Sequence, residues 1–140
     1  MSRPIYETPV DRFNEVLLAD KMHLAWGYEF LFHEELSPYD CTVLKKGRPK
    51  ALMEIKTRSC QKHAYDTFFI SHAKVSELWV FAQSRGLSAA IAVQWSDGWG
   101  VHVLDNNKEY SKTIGGRLDR DDPSDIESMI HIPIEDFVCG

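Results

Sequence analysis

The chain has 140 residues, 44% hydrophobic and 26% charged, the size and balance of one domain spanning 1–140, with a single core and no room for a second. No stretch approaches the ~18 consecutive apolar residues of a membrane span, and residues 1–10 lack an apolar signal core, so a soluble, intracellular, cytoplasmic protein is expected. The three cysteines, Cys41, Cys60 and Cys139, form no CxxC pair and are odd in number, which argues against a disulfide framework and a structural zinc site.

Net charge is −5, which at first counts against a nucleic-acid partner, because phosphate binding demands a basic face. The average conceals an asymmetry. Residues 45–62 hold seven Lys or Arg and one acid, Glu54, a net +6 that leaves −11 for the rest of the chain. Such clustering suits a protein that holds a polyanion beside carboxylates, although a solvated lysine-rich hairpin has the same composition.

Along the chain, Thr8-Pro9 reads as an N-cap followed by proline at the first helical position. Val10, Phe13, Leu17 and Leu24 then recur at helical spacing until Gly27 stops the helix, and this stripe is expected to face the core. Glu15 falls nearly opposite it. Two readings stand for Glu15, a third acid reaching a metal site from the helix or a solvent-facing glutamate, and spacing alone favours the second. Residues 28–33 are expected to form a strand and Glu34-Glu35-Leu36-Ser37-Pro38 a connecting loop.

Asp40 then opens an apolar run, Lys46-Gly47-Arg48-Pro49 makes a hairpin turn, and residues 50–56 return as a second strand. Side chains two apart on a strand share a face, so Glu54 and Lys56 project together while Ile55 turns into the core. Asp40, on the neighbouring strand, completes the group. Two adjacent carboxylates repel, and a hard cation such as magnesium, which takes oxygen ligands, is the usual remedy. The metal lowers the pKa of a bound water and stabilises charge on a phosphate, while the lysine orients the nucleophile or the oxyanion. Asp40, Glu54 and Lys56 are therefore the catalytic candidates of a phosphodiesterase. An acid-x-lysine triplet alone arises by chance about once in a chain of this length, so its placement on a hairpin carries the weight; the competing reading is a surface ion pair.

Residues 57–67 show little periodicity and carry Arg58, Lys62, His63 and Tyr65, as expected of a loop that closes over a ligand. Together with Lys45, Lys46 and Arg48 of the hairpin, Arg58, Lys62 and Tyr65 are candidate DNA contacts. Ser71 is an N-cap with Ile70 before it, and Val75, Leu78, Trp79 and Ala82 make a helical stripe that ends at Gly86. Lys74 sits in the first turn of that helix, where the dipole disfavours a cation. A phosphate or a nearby acidic cluster would compensate it, and Lys74 joins the DNA-contact candidates.

Residues 87–95 are a nearly continuous apolar run, expected as a central strand covered on both faces. Ser96-Asp97-Gly98 turns the chain into a strand at 99–104. The polar stretch of about 105–128, with Gly115-Gly116 and acids at Asp119, Asp121, Asp122, Asp125 and Glu127, is expected to be a mobile loop. Residues 129–134 are expected as a short edge strand marked by Pro133. No GxSxG elbow, histidine zinc spacing or phosphate-cradling loop is present.

This order of elements resembles the PD-(D/E)XK nuclease superfamily, the restriction-endonuclease-like fold that includes archaeal Holliday junction resolvases and many small phage nucleases. Over residues 10–104 the resemblance is carried by Glu15, Gly27-Tyr28, Tyr39-Asp40, Glu54-Ile55-Lys56, and Ser71 with Lys74. It implies an α/β fold with a central mixed β-sheet flanked by helices in the order α-β-β-β-α-β-β. It also implies that Asp40 and Glu54 bind Mg2+, with Mn2+ able to substitute, that the backbone carbonyl of Ile55 adds a ligand, and that Lys56 assists the attacking water. The activity expected is metal-dependent DNA endonuclease, on branched or junction DNA, by a homodimer without membrane partners, phage-encoded and acting in the host cytoplasm. The alternative is a non-catalytic module of the same fold that binds DNA or a protein, since a fold does not dictate function.

Overall fold

The computed structural model describes residues 9–33, 37, 39–105, 108–116 and 126–140. Thr8, the side chain of Val10, residues 34–36 and 38, Asn106-Asn107 and the acidic stretch 117–125 lie outside the described residues.

Helix α1 (Pro9–Trp26) ends where Gly27, at φ 75°, returns its N–H to the carbonyl of His23 at 2.8 Å, a left-handed position that glycine takes without steric cost. Strands β1 (Glu29–Phe32), β2 (Cys41–Lys45) and β3 (Arg48–Thr57) follow as an antiparallel meander. The β2–β3 turn is Lys46-Gly47, both at positive φ (53° and 76°), the two-residue geometry whose twist matches the flanking strands.

A 3-10 turn (Lys62–Ala64) leads to β4 (Thr67–Ser71) and helix α2 (His72–Ser84). Strands β5 (Ser88–Trp95), β6 (Gly98–Val103), β7 (Ser111–Gly116) and β8 (Ile126–Pro133), a 3-10 turn (Ile134–Asp136) and β9 (Val138–Cys139) complete the described chain. Six strands form one sheet in the order β1-β2-β3-β5-β6-β9, and three form another in the order β4-β8-β7. Only β3 and β5 among the paired strands run parallel, so the large sheet is mixed, as expected.

The large sheet is covered on both faces. On one, Leu18 and Met22 of α1 pack with Cys41, Val43, Met53, Ile55, Ala90, Ala92 and Val101. On the other, Val75, Leu78 and Ala82 of α2 join Leu52, Ile91, Val93, Ile130 and Ile132. Alternate residues of β5 thus enter opposite clusters, which explains the unbroken apolar run there. No helix among the described residues is long and apolar enough to cross a membrane.

Three expectations are corrected. Helix α1 is rotated relative to the stripe read from its sequence: Phe13, Leu17 and Leu24 are exposed (61%, 41% and 85%), whereas Leu18, Ala19 and Met22 are buried and Glu15 is 8% exposed on the same buried face. Residues 111–116 of the expected loop form β7, an edge strand whose side chains at 111–114 are all exposed, so no apolar alternation announces it. Strand β8 lies between β4 and β7 rather than at an edge. Pro133 is its last residue, opposite Thr67, where the missing N–H marks the end of a ladder.

If β8 is central, Ile132→Ala, at a fully buried position, destabilises the fold by about 2–5 kcal/mol. Ile114→Ala, at a position 79% exposed, changes it by less than about 0.5 kcal/mol. Urea denaturation of the two variants checks this; equal effects would contradict the placement of β8.

Candidate active site

The register of the β2–β3 hairpin places the acids. Cys41 pairs with Met53 at the end of the ladder, so Asp40, the residue just before β2, lies beside the stretch of β3 that carries Glu54. The backbone of Asp40 is held on both sides: its N–H donates to the carbonyl of Met53 and its own carbonyl accepts from His33 N–H, both at 3.0 Å. Its carboxylate Oδ2 accepts the N–H of Ile55 at 2.7 Å.

Residues two apart on a strand point their N–H and C=O groups to the same side. The carbonyl of Met53 meets Asp40, so the carbonyl of Ile55 is directed to that side as well. The side chain of Ile55 goes to the α1 core, as read from the sequence.

Glu54 projects from the α2 face of β3 and is 5% exposed. Lys56, two residues on, brings Nζ to 3.2 Å from Glu54 Oε1. Lys74, from the first turn of α2, brings its own Nζ to 3.3 Å from the same oxygen. Four of the singled-out side chains, Asp40, Glu54, Lys56 and Lys74, therefore meet in one place.

The remaining candidates divide. Glu15 is paired with Arg12 (Nη1–Oε2 3.5 Å), and Arg12 donates to the carbonyl of His33 at 2.9 Å while lying over the ring of Phe32. Among the described residues no group of three or more His, Cys, Asp or Glu is close enough to hold a metal together, so Glu15 does not form a triad with Asp40 and Glu54 in this arrangement. Lys45 donates to the carbonyl of Trp26 and lies over Tyr28, which binds it to the end of α1. Lys46 and Arg48 are exposed at the hairpin turn. At about 3.3 Å per residue this turn is about 20 Å from Glu54.

Arg58 and Lys62 follow Lys56 directly. Arg58 is half-buried and lies over Phe68 at 4.8 Å, while Lys62 contacts Cys139 and its backbone N–H is held by Asp97. His63 and Tyr65 are exposed. Sequence reasoning missed Arg12, His33 and Thr42, the last two joined by a 2.7 Å hydrogen bond behind Asp40. The i, i+3 spacing of Arg12 and Glu15 was the one available signal.

The electrostatics are uneven. Both ammonium groups sit on Glu54, and the carboxyl of Asp40 is raised from 3.8 to about 6, first by burial and then by the charge of Glu54, against the pull of Ile55 N–H, Lys56 and Lys74. Burial, with Asp40, Glu15 and Glu54 near it, pushes the Cys41 thiol far up, so this cysteine is an inert core group. A hard divalent cation fits the donor set. The oxygens of Asp40 and Glu54 and the Ile55 carbonyl are the ligands it prefers, and a positive charge beside Asp40 would relieve the repulsion that raises its pKa.

The sequence profile of the family described as "Phage putative PDDEXK endonuclease" matches residues 1–139. The chain belongs to this family. It is a PD-(D/E)XK-type nuclease. The fold of this family member is similar to that of Hjc, a Holliday junction resolvase from the hyperthermophile Archaeoglobus fulgidus, with a TM-score of 0.52, 15% identity and 86% of each chain covered. No curated protein matches the chain.

The raised pKa of Asp40 carries a stability consequence in the metal-free nuclease. A carboxyl that holds its proton more tightly when folded favours folding fully below pH 3.8, and that contribution is lost as pH rises through about 6. Asn mimics the protonated form. Asp40→Asn is therefore expected to exceed the parent in stability by about 1–3 kcal/mol at pH 8 and to match it near pH 4. Denaturant titration in chelator at both pH values checks the sign, and a loss of stability at pH 8 would contradict it.

Proposed function

We propose that this PD-(D/E)XK nuclease is a magnesium-dependent DNA endonuclease whose catalytic group is Asp40, Glu54 and Lys56. The observation that carries the reading is the buried carboxylate of Glu54 beside the half-buried one of Asp40, which Ile55 N–H holds, with an ammonium 3.2 Å from Glu54. Asp40, Glu54 and the backbone carbonyl of Ile55 would hold the cation. When bound, it supplies Lewis acidity toward a phosphate and a lowered pKa for water, and manganese is expected to substitute.

The chain's own residues do the rest. Ile55 N–H fixes the orientation of Asp40, and Lys56, 27% exposed at its side chain, reaches toward solvent where a phosphate would approach. A compact ammonium there orients the nucleophile or stabilises charge on the phosphate oxygens. Arg58, just past the end of β3, and Lys62, in the 3-10 turn that follows, would extend the positive field along which a DNA backbone would lie.

Branched DNA is the first substrate class to test, because Hjc, whose fold is similar, is a Holliday junction resolvase. A symmetric cut needs two copies of the centre related by a two-fold axis, and we assign the nuclease as a homodimer on that ground. Phe13, Leu17 and Leu24, exposed on the outer side of α1, support the assignment, since a row of large apolar side chains on one face marks an interaction site. Light scattering is expected to return twice the chain mass, and Leu24→Glu to halve it; a parent that is monomeric at micromolar concentration would contradict the assignment.

The activity is tested with a panel of linear duplex, single-stranded and four-way-junction DNA in magnesium or manganese. Cleavage of at least one is expected, chelator abolishes it, and Glu54→Gln lowers it by more than about 10²-fold, the scale of losing one preorganised electrostatic partner. Thermal melting of Glu54→Gln shows that the fold persists. No cleavage of any substrate by folded, metal-loaded protein would remove the reading.

A further inference from the structure

We propose that Lys74 is a positioning residue of the catalytic centre, holding Oε1 of Glu54 so that Lys56 is free to turn to the substrate. The inference rests on the nuclease reading above. It starts from the fact that one buried carboxylate oxygen meets two ammonium groups, Lys56 Nζ at 3.2 Å and Lys74 Nζ at 3.3 Å. Asp40, the other acid, is held instead by the N–H of Ile55.

With a single lysine the centre would face a conflict. A counter-ion that leaves a buried carboxylate strands an uncompensated charge, so a lone Lys56 would be bound to Glu54 and unavailable for chemistry. With Lys74 in place, Lys56 can move to a phosphate or a water without stranding that charge. The two lysines are also tethered differently. Lys56 rides on the same strand as Glu54, whereas Lys74 is anchored by the start of α2, where Ser71 Oγ accepts the N–H of Lys74 at 3.4 Å and is itself bonded to Glu127 at 2.9 Å.

The placement of Lys74 against the helix dipole then has a cause within the protein. A cation in the first turn of a helix is disfavoured, and the carboxylate of Glu54 offsets that cost. The compensating charge is the catalytic acid, so no phosphate is needed to explain the residue, and Lys74 need not touch DNA.

The test compares the parent, Lys74→Ala, Lys74→Arg and Lys74→Met on a DNA that the parent cuts. Lys74→Met keeps the apolar stem of the side chain and replaces Lys74→Ala if that variant does not fold. We expect kcat to fall about 10²-fold, the effect of a misplaced catalytic group, with KM within about 3-fold. Lys74→Arg restores part of kcat, because it returns the charge with a different shape.

Two titrations without turnover separate the roles. DNA affinity in chelator and its salt dependence remain those of the parent. Mn2+ affinity is unchanged or higher, because removing an ammonium from Glu54 removes a competitor for the cation.

A rise in KM and in the DNA dissociation constant with kcat unchanged, and a salt slope smaller by about 1, would make Lys74 a phosphate contact and overturn the proposal. Weaker Mn2+ binding, or a fully active Lys74→Ala, would overturn it as well. A parent that cuts no DNA overturns the nuclease reading and this inference with it. A parent that cuts while Lys74→Ala is equally active overturns this inference alone.

Discussion

The register of one hairpin is the constraint on which the centre depends. Cys41 opposite Met53 brings Asp40 beside Glu54 and leaves Ile55 N–H to hold the Asp40 carboxylate. Side chains alternate along a strand, so a slip of one residue would turn Glu54 and Lys56 into the α1 core and Ile55 toward the site. Two features fix the pairing: the Lys46-Gly47 turn with its two positive φ values and the irregularity between Val43 and Leu44, which absorbs one residue between the turn and the acids. The parallel pairing of β3 with β5 then places β3 beside the most buried strand of the sheet, where its backbone has little freedom to move.

That rigid frame holds charges that oppose one another. Burial and the repulsion of Glu54 raise Asp40 to about 6, while Lys56 and Lys74 neutralise Glu54 from two different elements. Removing one partner of a buried ion pair typically costs about 3–5 kcal/mol, so Glu54 is held in place by its two lysines. The imbalance is the physical basis of the metal proposal: both ammonium groups contact Glu54, and their pull on Asp40 is outweighed by burial and the charge of Glu54.

Much of this was legible in the sequence. The turn residues, the apolar runs on either side and the period-two spacing of Glu54 and Lys56 were sufficient to place β3 and the shared face of those two side chains, and Ser71 with Val75, Leu78 and Ala82 was sufficient for α2. Helix α1 misled because it is apolar on two sides. Phe13, Leu17 and Leu24 form as good a stripe as Leu18, Ala19 and Met22, and periodicity cannot choose between them without knowing what packs where. The burial of Glu15 follows from that choice and was lost with it. The second sheet was hidden for another reason: β7 shows only exposed side chains at 111–114, and the alternation of buried Phe68 and Ile70 in β4 is too short to stand out from the helix cap that follows. Basic residues were counted together along the chain, but the strand between them carries Lys46 and Arg48 to the far end of the sheet from Lys56 and Arg58. Linear charge density does not register where a strand begins and ends.

The most direct measurement is crystallographic: a structure of the parent grown with Mn2+, with anomalous differences recorded at the manganese edge. The account predicts one strong peak between the carboxylates of Asp40 and Glu54, within bonding distance of both and of the Ile55 carbonyl. A peak elsewhere, or no peak with Lys56 and Lys74 still closed on Glu54 at saturating metal, would contradict it.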